Sequence, residues 1–406
     1  MVAVPTHVTG GKINPLVWRI LLHSSIFGLA LSIADLLFNF YLVSLGYTTA
    51  TAGLFSTIGR VAGMVLGLPL GMMIDRIGSQ RSLLIGLAAY GLGWLLMLQS
   101  RSLWLMIPIQ LVIGGGYILT SSAVTPLLAG VTHEEQRAQI FGWNASATLV
   151  VGLAGSALGG ILPSLAAGLI HIGPQATGAY RLALVTVVLL SAVAMLPVLG
   201  RMSLQSTERL IGAARLAVAR LPMTRLMRYA LAGLLLGMAG GAFLPFQNLF
   251  FRQCFGMSDA AVGIVLAWAA LGMGVGGLLG APVARRLGLR RAAAALRLGA
   301  VPAMLLMLVP TFLAAGAGFF LRGLFVAASF PLNDALVMRA TPLSQRGVAT
   351  SMMSVLWAGG WAVAAWLSGL TQEAWGFTPS LVFSAVAYAL SALAIATLPL
   401  SDEGLG

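Results

Sequence analysis

Apolar residues dominate this chain in long stretches, interrupted by short polar turns. A helix needs about 20 apolar residues to cross a bilayer, and twelve such stretches can be placed. They fall near 16–44, 51–74, 82–99, 103–129, 138–165 and 181–200, then near 229–251, 260–283, 292–310, 312–338, 347–370 and 379–399. One longer polar interruption, at 201–228, carries six arginines beside Leu210, Ile211, Leu216, Val218 and Leu221. That mixture predicts a short amphipathic helix lying on a membrane leaflet. The pattern as a whole predicts an all-α membrane protein in which residues 1–200 and 229–406 each form a bundle of six helices, joined by the basic linker 201–228.

The two halves repeat one another. Gly46, Gly53, Gly67, Gly78 and Arg81 return 210 residues later as Gly256, Gly263, Gly277, Gly288 and Arg291, and Arg76 returns as Arg286. At an offset of 209, Gly114, Thr132, Gln136, Arg137 and Gly160 return as Gly323, Thr341, Gln345, Arg346 and Gly369. Internal duplication in a membrane chain points to a transporter whose site lies at the interface of the repeats.

Composition agrees with the bilayer assignment. The chain is 59% hydrophobic and 8% charged, with a mean hydropathy of +0.96, whereas soluble domains carry about 25% charged residues. The net charge of +13 would suit a nucleic-acid partner, but its placement serves topology instead. Seventeen of the 23 basic residues fall on the side holding both termini, three (Arg101, Arg181, Arg252) on the opposite side, and three (Arg60, Arg297, Arg322) within spans. The excess predicts both termini in the cytoplasm, with the chain integral to the plasma (inner) membrane.

Several classes are set aside. The first apolar run is too long for the core of a removable signal peptide. One cysteine, Cys254, rules out a disulfide framework, and four scattered histidines offer no metal-ligand spacing. No catalytic triad and no phosphate-binding loop of the ATPase type is present. Gly272, Gly274, Gly276 and Gly277 sit inside a span and cannot cradle a nucleotide. The expectation is no enzyme, no metal and no cofactor.

The stretch GMMIDRIGSQR, Gly71 to Arg81, resembles the loop signature of the major facilitator superfamily through Gly71, Asp75, Arg76, Gly78 and Arg81, with Ser79 and Gln80 where a basic residue is usual. Its second copy, APVARRLGLRR from Ala281, keeps Arg286, Gly288 and Arg291 and has Arg285 in place of the aspartate. The resemblance extends over the whole chain through the spans, the repeat and the long central loop. It implies twelve helices in two pseudo-symmetric bundles, a monomer, and a loop that latches one conformation of a rocking molecule. In physical terms, the glycines allow a tight turn, Asp75 suits a helix N-terminus, and the arginines suit carboxylates or lipid phosphates. A plain orientation signal is the alternative role.

Two further signatures are imperfect. GLAGSALGG, Gly152 to Gly160, resembles a glycine-rich stretch of exporter branches, with Ser156 in place of the diagnostic proline. Gln110, four residues before Gly114, stands where exporters commonly carry arginine. Gly63, Gly67 and Gly71, matched by Gly272, Gly276 and Gly280, are spaced to let helices pack closely.

Ionisable residues inside spans are expensive and mark function. Asp35, Arg60 and Arg322 each lie about ten residues from the outer end of a span, roughly 15 Å deep. Asp35 and Arg60 are placed to pair across adjacent helices, and Arg297 is placed to pair with Asp334. In the family the first, fourth, seventh and tenth spans line the central cavity, so the resemblance sets Asp35 and Arg322 facing one another across a substrate site. A carboxyl group in such a cavity holds a proton readily, whereas one locked by a guanidinium stays ionised. Both readings of Asp35 stand here. Asn39, one helical turn from Asp35, and Gln247, Asn248 and Tyr117 extend the candidate site, with Asn144 and Asn333 as further polar positions. Arg19 and His23 are expected to meet lipid headgroups, and Trp357, Trp361 and Trp366 to pack or anchor at the interface.

These residues predict a secondary transporter that moves a small organic solute together with protons, export ahead of uptake. The alternatives are an organic-anion uniporter or symporter using Arg322 and Arg60, and a non-transporting membrane sensor, which would tolerate loss of the midplane charges.

Overall fold

Within lipid every backbone N–H and C=O must be satisfied inside the protein, and a continuous helix does this within one segment. A computed structural model describes residues 13–200, 223–341 and 346–397, and these are almost wholly helical. The first half contains α1 (Pro15–Ser44), α2 (Thr49–Ile77), α3 (Ser79–Gln99), α4 (Leu103–Gly130), α5 (Glu134–Ile170) and α6 (Thr177–Met195). The second contains α7 (Met223–Phe243), α8 (Gln247–Phe255), α9 (Asp259–Leu287), α10 (Leu289–Leu306), α11 (Phe312–Ala340), α12 (Arg346–Trp375) and α13 (Thr378–Ala396). The expected linker lies outside the described residues as far as 222, and its last part opens α7.

Among the described residues, eleven helical segments are long and apolar enough to cross a membrane. One of them, Tyr229–Phe255, joins α7 to α8 through the tight turn Leu244–Phe246, where Pro245 cannot donate a backbone hydrogen bond. The twelfth expected span corresponds to α10, only 18 residues long and carrying Arg290, Arg291 and Arg297, which lower its apolar character. It nevertheless takes the place that α3 takes in the first half. Helix α3 packs on α2, α4 and α6, and α10 packs on α9, α11 and α13.

The repeat is therefore structural. Helices α2 and α9 begin and end 210 residues apart. Their turns use the same backbone device. Gly46 and Gly256 have φ of 87° and 62°, and Gly78 and Gly288 have φ of 89° and 79°. With ψ near 150° the latter pair occupies a region open essentially to glycine alone. Replacing Gly78 or Gly288 with alanine is expected to destabilise the protein by about 1–3 kcal/mol, read as a lowered midpoint in denaturation of the detergent-solubilised protein.

Each half packs as one bundle, and the principal contacts between bundles are α2 with α12 and α5 with α9, a symmetric pair. Glycines set both. A Cβ added at Gly53 would lie 2.6 Å from the carbonyl oxygen of Ala365 and 3.2 Å from Cα of Gly369. A Cβ at Gly263 would lie 2.4 Å from the carbonyl oxygen of Ser156 and 3.2 Å from Cα of Gly160. All four glycines lie toward the end of the molecule opposite the chain termini, here called the distal end. Toward the terminal end, Gly67, Gly71 and Gly277 face open space. The glycine crossings that clasp the bundles are thus confined to the distal end.

Several buried polar groups have partners other than those expected. His23 is buried and does not face lipid headgroups, and the half-buried Arg19 has partners within the protein. The Arg19 guanidinium donates to the carbonyls of Pro197 (2.6 Å) and Leu199 (2.5 Å), and buried His23 donates through Nδ1 to the carbonyl of Ala194 at 2.9 Å. Together they satisfy carbonyls left unpaired where α6 ends. Arg297, 0% exposed, makes no ion pair with Asp334. Its guanidinium donates to Ser391 Oγ (2.7 Å), Asn333 Oδ1 (3.1 Å) and the carbonyl of Ala232 (3.3 Å). Asp334 sits on the exposed side of α11, one residue round the helix from Asn333.

Candidate transport cavity and distal latch

A cavity of about 450 Å³ lies between the bundles, within the usual size of a small-molecule site. Polar side chains enter it from both halves: Ser32, Asp35 and Asn39 from α1, Ser56 and Arg60 from α2, Gln110 from α4, Gln247 from α8 and Arg322 from α11. Helical spacing explains the convergence. Positions 32, 35 and 39 share one face of α1, and 319, 322 and 323 share one face of α11. Phe38, Phe55, Phe319 and Trp361 supply apolar wall. A second cavity of about 200 Å³ adjoins it, and Arg60, Leu244, Met273, Arg322, Gly323 and Trp361 line both.

Asp35 is exposed to this space and makes no hydrogen bond or ion pair with the described residues. The pairing with Arg60 that depth alone allowed is not formed. The Arg60 guanidinium instead reaches the other bundle, 4.2 Å from the ring centre of Trp361 and 5.0 Å from that of Trp357. Such stacking holds a cation by the ring quadrupole, and Trp361 is itself oriented by donating to Ser56 at 3.3 Å. Two of the tryptophans expected to be packing anchors are thus part of the cavity wall. Their spacing of four on α12 was the available signal.

Arg322, 4% exposed, lines the same cavity as Asp35 and has a neutral partner. Its Nε and Nη2 both donate to the hydroxyl of Tyr388 on α13, at 2.9 and 2.7 Å. Gln247 lines the cavity, but Asn248 is buried behind it. Asn39 Nδ2 donates to Asn248 Oδ1 at 2.9 Å and to the carbonyl of Pro245 at 2.6 Å, and Asn248 Nδ2 donates to the carbonyl of Leu36 at 2.6 Å. Two asparagines 209 residues apart therefore bond directly to each other across the pseudo-symmetry axis. Tyr117 is 44% exposed on α4, outside the set lining either cavity, though within electrostatic reach of Asp35 and Arg60. Asn144, on α5, is also outside that set.

The loop-signature residues lie at the terminal end. Asp75, Arg76, Arg81, Arg286 and Arg291 are exposed and make no hydrogen bond or ion pair with the described residues, while Gly71, Gly78 and Gly288 flank them. Gln80, which stands at a usually basic position, donates to the carbonyl of Val198 at 2.8 Å.

The distal end holds a cluster that sequence reasoning did not find. Arg252 on α8 and Asp259 at the start of α9 form the one ion pair among the described residues, at 3.3 Å. Tyr180 on α6 donates to Asp259 Oδ2 at 2.7 Å and accepts from Arg252 Nη1 at 2.7 Å. The guanidinium also lies 4.6 Å from the ring centre of Phe40 on α1. Two residues of the second bundle thus grip two of the first, with Asp259 only 7% exposed. Arg252 had been weighed only as an outer loop charge, because its partners lie 7 and 72 residues away in sequence.

Comparison with known proteins gives this geometry its place. A relative from Burkholderia mallei, described as an uncharacterized MFS-type transporter, is 26% identical over 367 residues, covering 87% of this chain and 84% of its own. In fold, the chain is similar to a bacterial homologue of the human lysosomal transporter Spinster in an inward-facing, occupied conformation, with a TM-score of 0.75, 15% identity, and coverage of 95% of this chain and 97% of that one. It is likewise similar to a mutant of the nucleoside transporter NupG, with a TM-score of 0.76, 16% identity, and coverage of 94% and 99%. Residues 20–215 and 229–404 match the Major Facilitator Superfamily. The chain belongs to that superfamily, as a secondary transporter and not an enzyme.

Proposed function

We propose that this transporter moves a small organic solute by alternating access, coupled to protons, with Asp35 as the carboxylate that takes up and releases the proton. The observation that carries the reading is Asp35 itself, an acid open to a solute-sized cavity and bonded to no cation. A carboxylate locked by a guanidinium would be held ionised, but one facing a changing cavity can exchange its proton as the cavity opens or closes.

Rocking about the distal clasp supplies the second state. The glycine crossings and the Arg252–Asp259–Tyr180 latch hold the distal end shut while the terminal end is open. With the arginine excess at the terminal end, that end faces the cytoplasm of the inner membrane, and the likeness to an inward-facing Spinster homologue supports the same orientation. In the opposite state, the loop-signature residues Asp75, Arg76 and Arg81 become the latch at the cytoplasmic end, with Asp75 as the group that attracts Arg286 and Arg291 of the second copy. The glycine-rich face Gly152–Gly160 on α5 supports export as the direction, and one chain encloses the whole cavity, consistent with action as a monomer.

The test uses inverted membrane vesicles with an acidic interior, challenged with cationic, neutral and anionic solutes. A solute is expected to discharge the gradient with wild type and to have less than a tenth of that effect with Asp35→Asn. An unchanged response in the variant, or no response to any solute with wild type, sinks the proton-coupled reading. A second reading, uniport or symport of an organic anion through Arg322 and Arg60, rests on those two cationic groups lining the cavity. It predicts anion flux that Asp35→Asn leaves intact.

A further inference from the structure

The charges around the two adjoining cavities do not balance. The larger is lined by Asp35, Arg60 and Arg322, and the smaller by Arg60 and Arg322 with no carboxylate at all. Neither arginine has an acidic partner within ion-pair distance, since the one such pair among the described residues is Arg252 with Asp259. Arg322 is buried and Arg60 half-buried, and the close contacts of each are to neutral groups: the two indoles for Arg60, the Tyr388 hydroxyl for Arg322. The Arg60 guanidinium carbon lies over both indoles, and its N–H donors make no hydrogen bond to the described residues. Arg322 spends Nε and Nη2 on one hydroxyl oxygen and keeps Nη1 without a protein partner among them. Planar forks with free edge donors suit the two oxygens of a carboxylate or a similar oxyanion.

The smaller cavity says what lies beyond that anionic group. Apart from the two arginines and Tyr388, its lining is Leu236, Val326, Phe330, Trp357 and other apolar or small residues. Its volume is about 200 Å³, and an apolar cavity of about 150 Å³ takes a benzene. Resting on the reading of this cavity as the transport site, we infer that the cargo is an organic anion whose oxyanion is held at the junction by Arg60 and Arg322 while an apolar body of one to two rings fills the smaller cavity. Asp35 lines the larger cavity only, within electrostatic reach of Arg60 but not bonded to it.

Binding to the purified full chain in detergent, with no proton gradient, tests this separately from coupling. The probes are 2-naphthoate, its neutral isostere 2-naphthamide, and acetate, which has the charge without the ring. Saturable thermal stabilisation is expected with 2-naphthoate and at least tenfold weaker binding of the other two. Arg322→Gln and Arg60→Gln are each expected to weaken 2-naphthoate binding at least tenfold. Val326→Phe, which fills the smaller cavity while keeping both arginines, is expected to do the same, and each variant's own unliganded melting point shows whether it is folded. Equal binding of the amide, equal binding of acetate, no binding of 2-naphthoate, or undiminished binding in the folded variants overturns the inference. Naphthoate binding without solute-driven proton flux would leave it standing and remove the coupling proposal. Proton flux driven only by solutes of another class would do the reverse.

Discussion

Gly263→Val is expected to force the distal ends of the bundles apart. The added Cβ would stand 2.4 Å from the carbonyl oxygen of Ser156, a backbone atom that cannot swing aside, where ordinary contact begins at 3.4 Å. Helix α9 or α5 must therefore move by about 1 Å, and the strain is confined to the distally closed state because only there are the two helices pressed together. Overpacking of this kind costs about 1–3 kcal/mol, and each 1.4 kcal/mol is a tenfold change in population. The equilibrium between closed and open distal ends should shift roughly five- to 140-fold. Spin labels on cysteines at Gln175→Cys and Pro310→Cys, in a Cys254→Ser background, report that gap by pulsed electron resonance. Gly277→Val, where a Cβ meets nothing within 4 Å, is the matched control and should leave the distribution as in wild type. A distance distribution unmoved by Gly263→Val would show that the crossing does not hold the gate.

Arg252→Gln is expected to have the larger effect. The substitution strands Asp259, 7% exposed, with Tyr180 as its remaining side-chain partner. Removing one partner of a buried ion pair costs about 3–5 kcal/mol, chiefly because an uncompensated charge remains. Opening the distal end hydrates that carboxylate, so the penalty falls on the closed state and favours opening by two to three orders of magnitude. The same labelled pair should report a predominantly open distal end. If the variant keeps the wild-type distribution at an unchanged melting temperature, the cluster is a local ornament of the loop and not a latch. Asp259→Asn with Arg252→Gln removes the stranded charge and should restore part of the closed population, which separates the electrostatic cause from mere loss of contact.

The two variants also show where sequence reading reaches and where it stops. The glycines at 53, 160, 263 and 369 were visible as a repeat, because a duplicated chain keeps its close contacts at equal offsets. What they touch was not visible, since α2 with α12 and α5 with α9 are brought together across more than a hundred residues. Arg252, Asp259 and Tyr180 carry no shared motif or spacing, and only their meeting at the distal end gives them a role. Arg60 is the instructive intermediate case. It lines one cavity with Asp35, the nearest acid along the chain at that level, yet rotation of α2 about its axis aims the guanidinium at Trp357 and Trp361. Arg297 repeats the lesson, bonding Asn333 and Ser391 where Asp334 was the obvious charge.

The amino-acid sequence by itself determined the membrane class, the helical spans, their duplication and the position of each charged residue along its helix. These are quantities measured along the chain, and the bilayer imposes them segment by segment through hydrophobic length and backbone hydrogen bonding. Only the tertiary structure decided which side chains meet: the Asn39–Asn248 bridge, the indole-covered Arg60, the Tyr388 hydroxyl on Arg322 and the distal latch. Those contacts depend on the rotation of each helix about its own axis and on how closely two bundles approach. Both are set by long-range packing, in which a missing Cβ at one position allows a carbonyl about one hundred to three hundred residues away to come within reach.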